Sequence, residues 1–122
     1  ALEYYEILVR EYNTANHKRC MLAHMNMCFC LNATGKYSTC INECNKSISH
    51  VYSSDNYIWI RNLTLHYLFA NFMLNNYKEI IDFYSNDSFD LDKLNWVSTT
   101  ICILASYLSG DMSKCENIIK NI

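Results

Sequence analysis

Apolar residues recur at three- and four-residue spacings along most of this chain, the periodicity of one face of a helix. Three stretches share a longer frame: Met27-Cys-Phe-Cys-Leu-Asn-Ala-Thr-Gly-Lys-Tyr37, Tyr67-Leu-Phe-Ala-Asn-Phe-Met-Leu-Asn-Asn-Tyr77 and Cys102-Ile-Leu-Ala-Ser-Tyr-Leu-Ser-Gly-Asp-Met112. Each has two apolar residues and a small one in its first helix, then Gly35, Asn75 or Gly110. Asn is the next-best residue after Gly for a left-handed helix C-cap, so all three positions read as one kind of turn. Beyond the turn, Cys40, Ile80 and Cys115 follow, then Cys44, Tyr84 and Ile119 four residues later. Each unit is therefore expected to be helix, tight turn, helix. Ala1-Leu-Glu-Tyr-Tyr5 falls in register with Cys40–Cys44 as the second helix of a preceding unit, so equivalent points are spaced by 39, 40 and 35 residues.

This frame predicts helices near 1–13, 17–33, 37–52, 57–74, 77–85, 92–108 and 112–122, with loops at Ser53-Ser54-Asp55 and Ser85-Asn86-Asp87-Ser88, which are rich in N-cap residues. The expected fold class is all-α. Antiparallel helical hairpins would stack into a right-handed α-solenoid of about three and a half units, a single domain over 1–122.

Composition sharpens this picture. Of 122 residues, 51% are hydrophobic and 18% charged, too apolar for a disordered chain. Two Gly and no Pro leave too few breakers for a sandwich or barrel. A net charge of −2 lacks the basic stripe of a nucleic-acid domain, so no direct nucleic-acid contact is expected. No signal peptide opens the chain and no apolar run reaches membrane-span length, so a cytoplasmic location off the membrane is expected. Seven cysteines cannot all pair, and without a CxxC they read as reduced small hydrophobes. Four N-x-S/T sequons, at Asn32, Asn45, Asn62 and Asn86, are close to what fifteen Asn produce by chance. The chain starts without Met in what reads as mid-helix, so it is expected to be a fragment, its uncapped ends favouring a homodimer through terminal helices.

The pattern resembles tetratricopeptide repeats. The resemblance rests on Ala1-Leu2-x-x-Tyr5, Gly35-Lys36-Tyr37 with Cys40 and Cys44, Asn75-Asn76-Tyr77 with Ile80 and Tyr84, and Gly110-Asp111-Met112 with Cys115. It departs from that family in lacking the Pro after each second helix and the first-helix Trp, and in its longer period. Long, degenerate, Pro-free repeats in an Asn/Ile/Lys-rich chain are similar to the C-terminal sensor domains of peptide-responsive transcription regulators of low-GC Gram-positive bacteria. The resemblance implies a concave face that binds a peptide or protein ligand.

His17, Cys20, His24 and Cys28 fall on successive turns of one helix face, with Cys40 and Cys44 nearby, and could ligate zinc. The spacings are not zinc-knuckle spacings, and Cys28, Cys40 and Cys44 stand at packing positions, so neither a metal nor another cofactor is expected. No nucleophile elbow or Gly-rich phosphate loop occurs, and Asp82/Asp87 and Asp90/Asp92 sit near helix ends, where acids cap; no catalytic residue is assigned. Phe29, Phe69, Tyr37, Tyr77 and Tyr84 are assigned to the core. The first-helix stripes contain Leu22, Met25, Asn26, Phe29 and Asn32, then Asn62, Leu65, His66, Phe69 and Phe72, then Val97, Thr100, Ile101, Leu104 and Tyr107. A primary amide can donate and accept along a peptide backbone, which singles out Asn26 and Asn62, with Asn71 beside them, as a main-chain clamp. Met25, Phe72 and Tyr107 would supply apolar pockets, Arg61 would meet a carboxylate, and Asn32 and His66 are further groove candidates on the same stripes. The expected function is a protein- or peptide-binding module, the ligand-sensing part of a transcription regulator; the alternative is a scaffold or chaperone-type adaptor.

Overall fold

The computed structural model describes residues 2, 3, 7, 17–53, 57–85 and 95–120. Six α-helices occur among them: α1 His17–Ala33, α2 Tyr37–Ser53, α3 Tyr57–Met73, α4 Tyr77–Tyr84, α5 Trp96–Leu108 and α6 Met112–Lys120. The chain is all-α, with no strand among the described residues. The expected helix near 1–13 lies outside the described residues except for Leu2, Glu3 and Ile7, which are helical, and the centres of the two expected loops also lie outside them. Helix α5 begins four residues later than its pattern predicts. Asn95 is extended there (φ −83°, ψ 169°) and its side chain accepts the Ser98 N–H at 2.8 Å, capping the helix at Trp96.

The three turns are copies of one device. Gly35, Asn75 and Gly110 all have positive φ, at 78°, 60° and 84°. At each, the next residue's N–H reaches back to a carbonyl five positions earlier: Lys36 to Leu31 at 2.8 Å, Asn76 to Asn71 at 2.8 Å and Asp111 to Ser106 at 2.9 Å. The left-handed residue itself donates to the carbonyl three positions before it, in Asn32, Phe72 and Tyr107. This is the Schellman pattern, which satisfies the orphan carbonyls of the first helix while reversing the chain. The second helix then starts at once, with Cys40, Ile80 and Cys115 donating to Lys36, Asn76 and Asp111.

The turns join α1 to α2, α3 to α4 and α5 to α6 as hairpins. Within the described residues each hairpin touches only its neighbours: α3 packs on α1 and α2, α5 packs on α3 and α4, and α1 does not reach α5. The first helices α1, α3 and α5 thus form one layer, with α2 and α4 behind it. Two cores fill the joints. Cys28, Leu31, Cys40, Cys44, Ile60 and Leu63 close the first, and Leu68, Ile80, Cys102, Ala105 and Ile118 close the second, so α3 serves both.

A polar tie also crosses from α1 to α2, where His24 Nε2 meets the Glu43 carboxylate at 2.8 Å. Burial alone would push the Glu43 pKa up, but hydrogen bonds from Lys46 (2.9 Å) and His24 outweigh it and hold the carboxyl below its usual value. A depressed folded-state pKa means the stabilisation is complete above the ordinary carboxylate value and is lost as pH falls through the folded one.

Gly35→Ala and Gly110→Ala meet no atom within 4 Å of the new Cβ, so each should cost only the left-handed backbone strain, about 1–2 kcal/mol in urea unfolding. Asn75→Gly should be nearly neutral in the same assay. Glu43→Gln should lower stability at neutral pH by about 1–2 kcal/mol, the scale of a charge-assisted hydrogen bond, and this deficit should shrink below pH 4 as the wild-type carboxylate is protonated.

Candidate functional site

The face of the first-helix layer turned away from the second helices has no third layer over it among the described residues. Phe29, Phe69 and Leu104 hold the same repeat position in α1, α3 and α5 and are 61%, 36% and 42% exposed. This corrects the assignment of Phe29 and Phe69 to the core. Their spacing matches that of buried positions, but in an open layer one of the two apolar faces of a first helix remains uncovered. Tyr37, Tyr77 and Tyr84 are half-buried, and Tyr37 sets its ring edge toward Phe69 with centroids 6.2 Å apart.

A groove of about 310 Å³ runs across this face, walled by Phe29, Asn32 and Ala33 of α1, Leu65, His66 and Phe69 of α3 and Val97 of α5. That volume is at the lower end for ligand clefts. Its wall is carbon apart from His66 and Asn32. The His66 ring lies edge-on to Phe29 with centroids 6.1 Å apart. Burial holds its pKa below the ordinary imidazole value, against a smaller upward pull from Cys40, so the ring is neutral at pH 7.

Asn32 is the unusual member. It is only 8% exposed, and its Nδ2 donates to the His66 carbonyl at 3.1 Å. A carbonyl can only accept, so this bond assigns the amide orientation and leaves Oδ1 as the spare atom. That oxygen is buried and has no hydrogen-bond partner. A buried acceptor left unpaired costs about 1–3 kcal/mol. The equivalent positions in the other hairpins hold Phe72 and Tyr107, so the turn itself does not require an amide here.

Asn32 and His66 are thus brought together, while the other candidate residues are dispersed. Met25 is buried in the first core, and Asn26 is half-buried on α1. Arg61, Asn62 and Tyr107 are exposed on α3 and α5 outside the groove wall. Phe72 packs on Tyr77 and the second core. Asn71 is buried and fully engaged, donating to the Tyr67 carbonyl at 2.9 Å and accepting from Asn76 Nδ2 at 3.2 Å. The residues that sequence reasoning left out of the site but that wall it are Phe29, Ala33, Leu65, Phe69 and Val97. Four of these five lie on the three- and four-residue stripes, which is the signal that could have found them.

Among the candidate metal ligands, the side chains of His17 and Cys20 lie outside the described residues, and His24 is engaged by Glu43. Cys28, Cys40 and Cys44 are buried free thiols that converge behind the groove, in the first core. The neighbouring Cys28 and Cys44 thiols pull the Cys40 pKa below the ordinary thiol value, and the same sharing, reinforced by burial, pushes theirs up. Burial alone raises Cys102, to about 12.

The groove can therefore hold an apolar ligand by desolvation. No helix among the described residues is long and apolar enough to cross a membrane. Compared with protein-family models, curated proteins and solved structures, the chain matches none.

Proposed function

We propose that this chain is a tetratricopeptide-like helical-repeat module that binds an extended peptide, or an extended segment of a protein, across its first helices. The observation that carries the reading is Asn32, a buried amide in an apolar groove with one hydrogen bond made and one acceptor unmet. Three further features support it. The turns repeat with the same geometry at 40- and 35-residue intervals, each hairpin packs only on its neighbours, and the groove spans all three first helices. Serial packing of this kind leaves an extended surface, the usual working face of helical-repeat proteins.

The chemistry of the ligand follows from the wall. Asn32 Oδ1 lies closed off beneath the groove wall, so a backbone N–H of an extended segment, present at every residue, would pair with it once the amide swings into the groove. Phe29, Phe69 and Val97 then cover apolar side chains on either side of that contact. A neutral His66 adds no charge, so affinity should depend little on salt.

The test is a phage-displayed library of linear nonapeptides selected on the chain, followed by calorimetry of the selected peptide. Asn32→Leu should weaken binding at least tenfold. The same substitution removes the unmet acceptor and places an apolar residue where Phe72 stands in the next hairpin, so thermal stability should be unchanged or higher. Phe69→Asp should abolish binding without unfolding the chain, because the Phe69 side chain is already partly in water. A selected peptide that binds Asn32→Leu and Phe69→Asp as tightly as the wild type would refute the groove, as would a selection that returns no binder.

A further inference from the structure

Behind the groove, the first core gathers three thiols at one point. Helix α2 places Cys40 and Cys44 on successive turns of one face, and Cys28 of α1 faces them. The three sulfurs lie within 4.8 Å of one another, Cys28 and Cys44 at 3.7 Å, and all three residues are fully buried. In the other hairpins the same three positions hold Leu68, Ile80 and Tyr84, then Ile103, Cys115 and Ile119. The fold accommodates larger side chains at each of these positions and does not itself call for sulfur. Only the first hairpin gathers three thiols at one point.

We propose that Cys28, Cys40 and Cys44 form a buried three-sulfur site for a soft monovalent metal ion of the Cu(I) class. Two physical arguments select the ion. Thiolates favour soft ions, and Cu(I), zinc and iron–sulfur centres are the principal candidates for an all-sulfur set. Structural zinc takes four ligands, whereas no fourth His, Cys or carboxylate joins this group among the described residues, and the ring of His24 is held by Glu43. The geometry fits three-coordination. A metal–sulfur bond of about 2.3 Å places the three sulfurs of a trigonal ion about 4 Å apart, within the spacing seen here, so side-chain adjustments suffice. Binding breaks three S–H bonds, releases three protons to solvent and forms three Cu–S bonds, leaving a cluster of net charge −2 with no change of oxidation state. The ion would pin α1 to α2 directly beneath Phe29 and Asn32, stiffening the wall of the groove. The ligands themselves face away from that groove, and none of them lines it.

The test uses the full chain, reduced and kept anaerobic, titrated with Cu(I) supplied as its acetonitrile complex against a chromophoric Cu(I) chelator. One Cu(I) per chain should be retained, with X-ray absorption showing three sulfur neighbours at about 2.3 Å. Cys28→Ala and Cys44→Ala should each weaken retention at least tenfold. Cys40→Ile places the residue found at the equivalent position of the next hairpin, so it removes a ligand without emptying the core, and it should do the same while circular dichroism stays unchanged. Cys102→Ala and Cys115→Ala should retain copper fully. Loss of all copper to the chelator would overturn the site, as would retention unchanged in Cys40→Ile. Preferential uptake of zinc with a nitrogen donor as fourth neighbour would overturn the three-sulfur assignment.

Discussion

Everything in this structure depends on a left-handed residue recurring at 35, 75 and 110. A helix leaves its last carbonyls without partners, and the chain can reverse tightly only if something satisfies them. The Schellman turn does so with two backbone bonds, at the price of one residue in a conformation that only Gly and, at some cost, Asn adopt readily. Because the second helix starts immediately after the turn, Cys40, Ile80 and Cys115 land at the same height against the first helix and enter the core together. The hairpin geometry, the two cores and the layer of first helices all inherit their register from that single backbone event.

The same geometry explains why a groove exists. Helix α3 packs on its own partner α4, on both helices of the preceding hairpin and on α5. The side turned away from the second helices is left over. In α1, α3 and α5 that side carries Phe29, Phe69 and Leu104, which a water-facing helix would ordinarily fill with polar residues. Scattered exposed apolar residues need no explanation, but Phe29 and Phe69 wall one groove together with Leu65 and Val97, and contiguous apolar patches mark interaction surfaces.

Much of this was legible in the chain. The turns were visible because Gly and Asn have a backbone property that no packing partner can supply. Helix ends followed from them to within a residue or two, except at α5, where Asn95 caps late in a stretch whose apolar pattern runs on before it. Apolar periodicity could not tell which of two apolar faces is covered, since Phe29 and Leu31 carry the same signal while only Leu31 is buried. Nor could it bring Cys28 together with Cys40 and Cys44 while excluding His24. That depends on the rotation of α1 against α2, and on Glu43 claiming the imidazole first.

The two buried amides differ in how their polar atoms are met. Asn71 and Asn32 are neighbours in repeat register, both buried, both donating to a helix carbonyl. Asn71 also accepts from Asn76 across the turn, so its polar cost is met within its own hairpin. Replacing it would strand Asn76 and loosen the turn. Asn32 donates across to α3 but accepts from nothing, at a position where the other hairpins hold Phe72 and Tyr107. Selection for stability alone would favour a hydrocarbon there. The unpaired acceptor in the groove wall is a polar cost that the other two hairpins do not carry at this position.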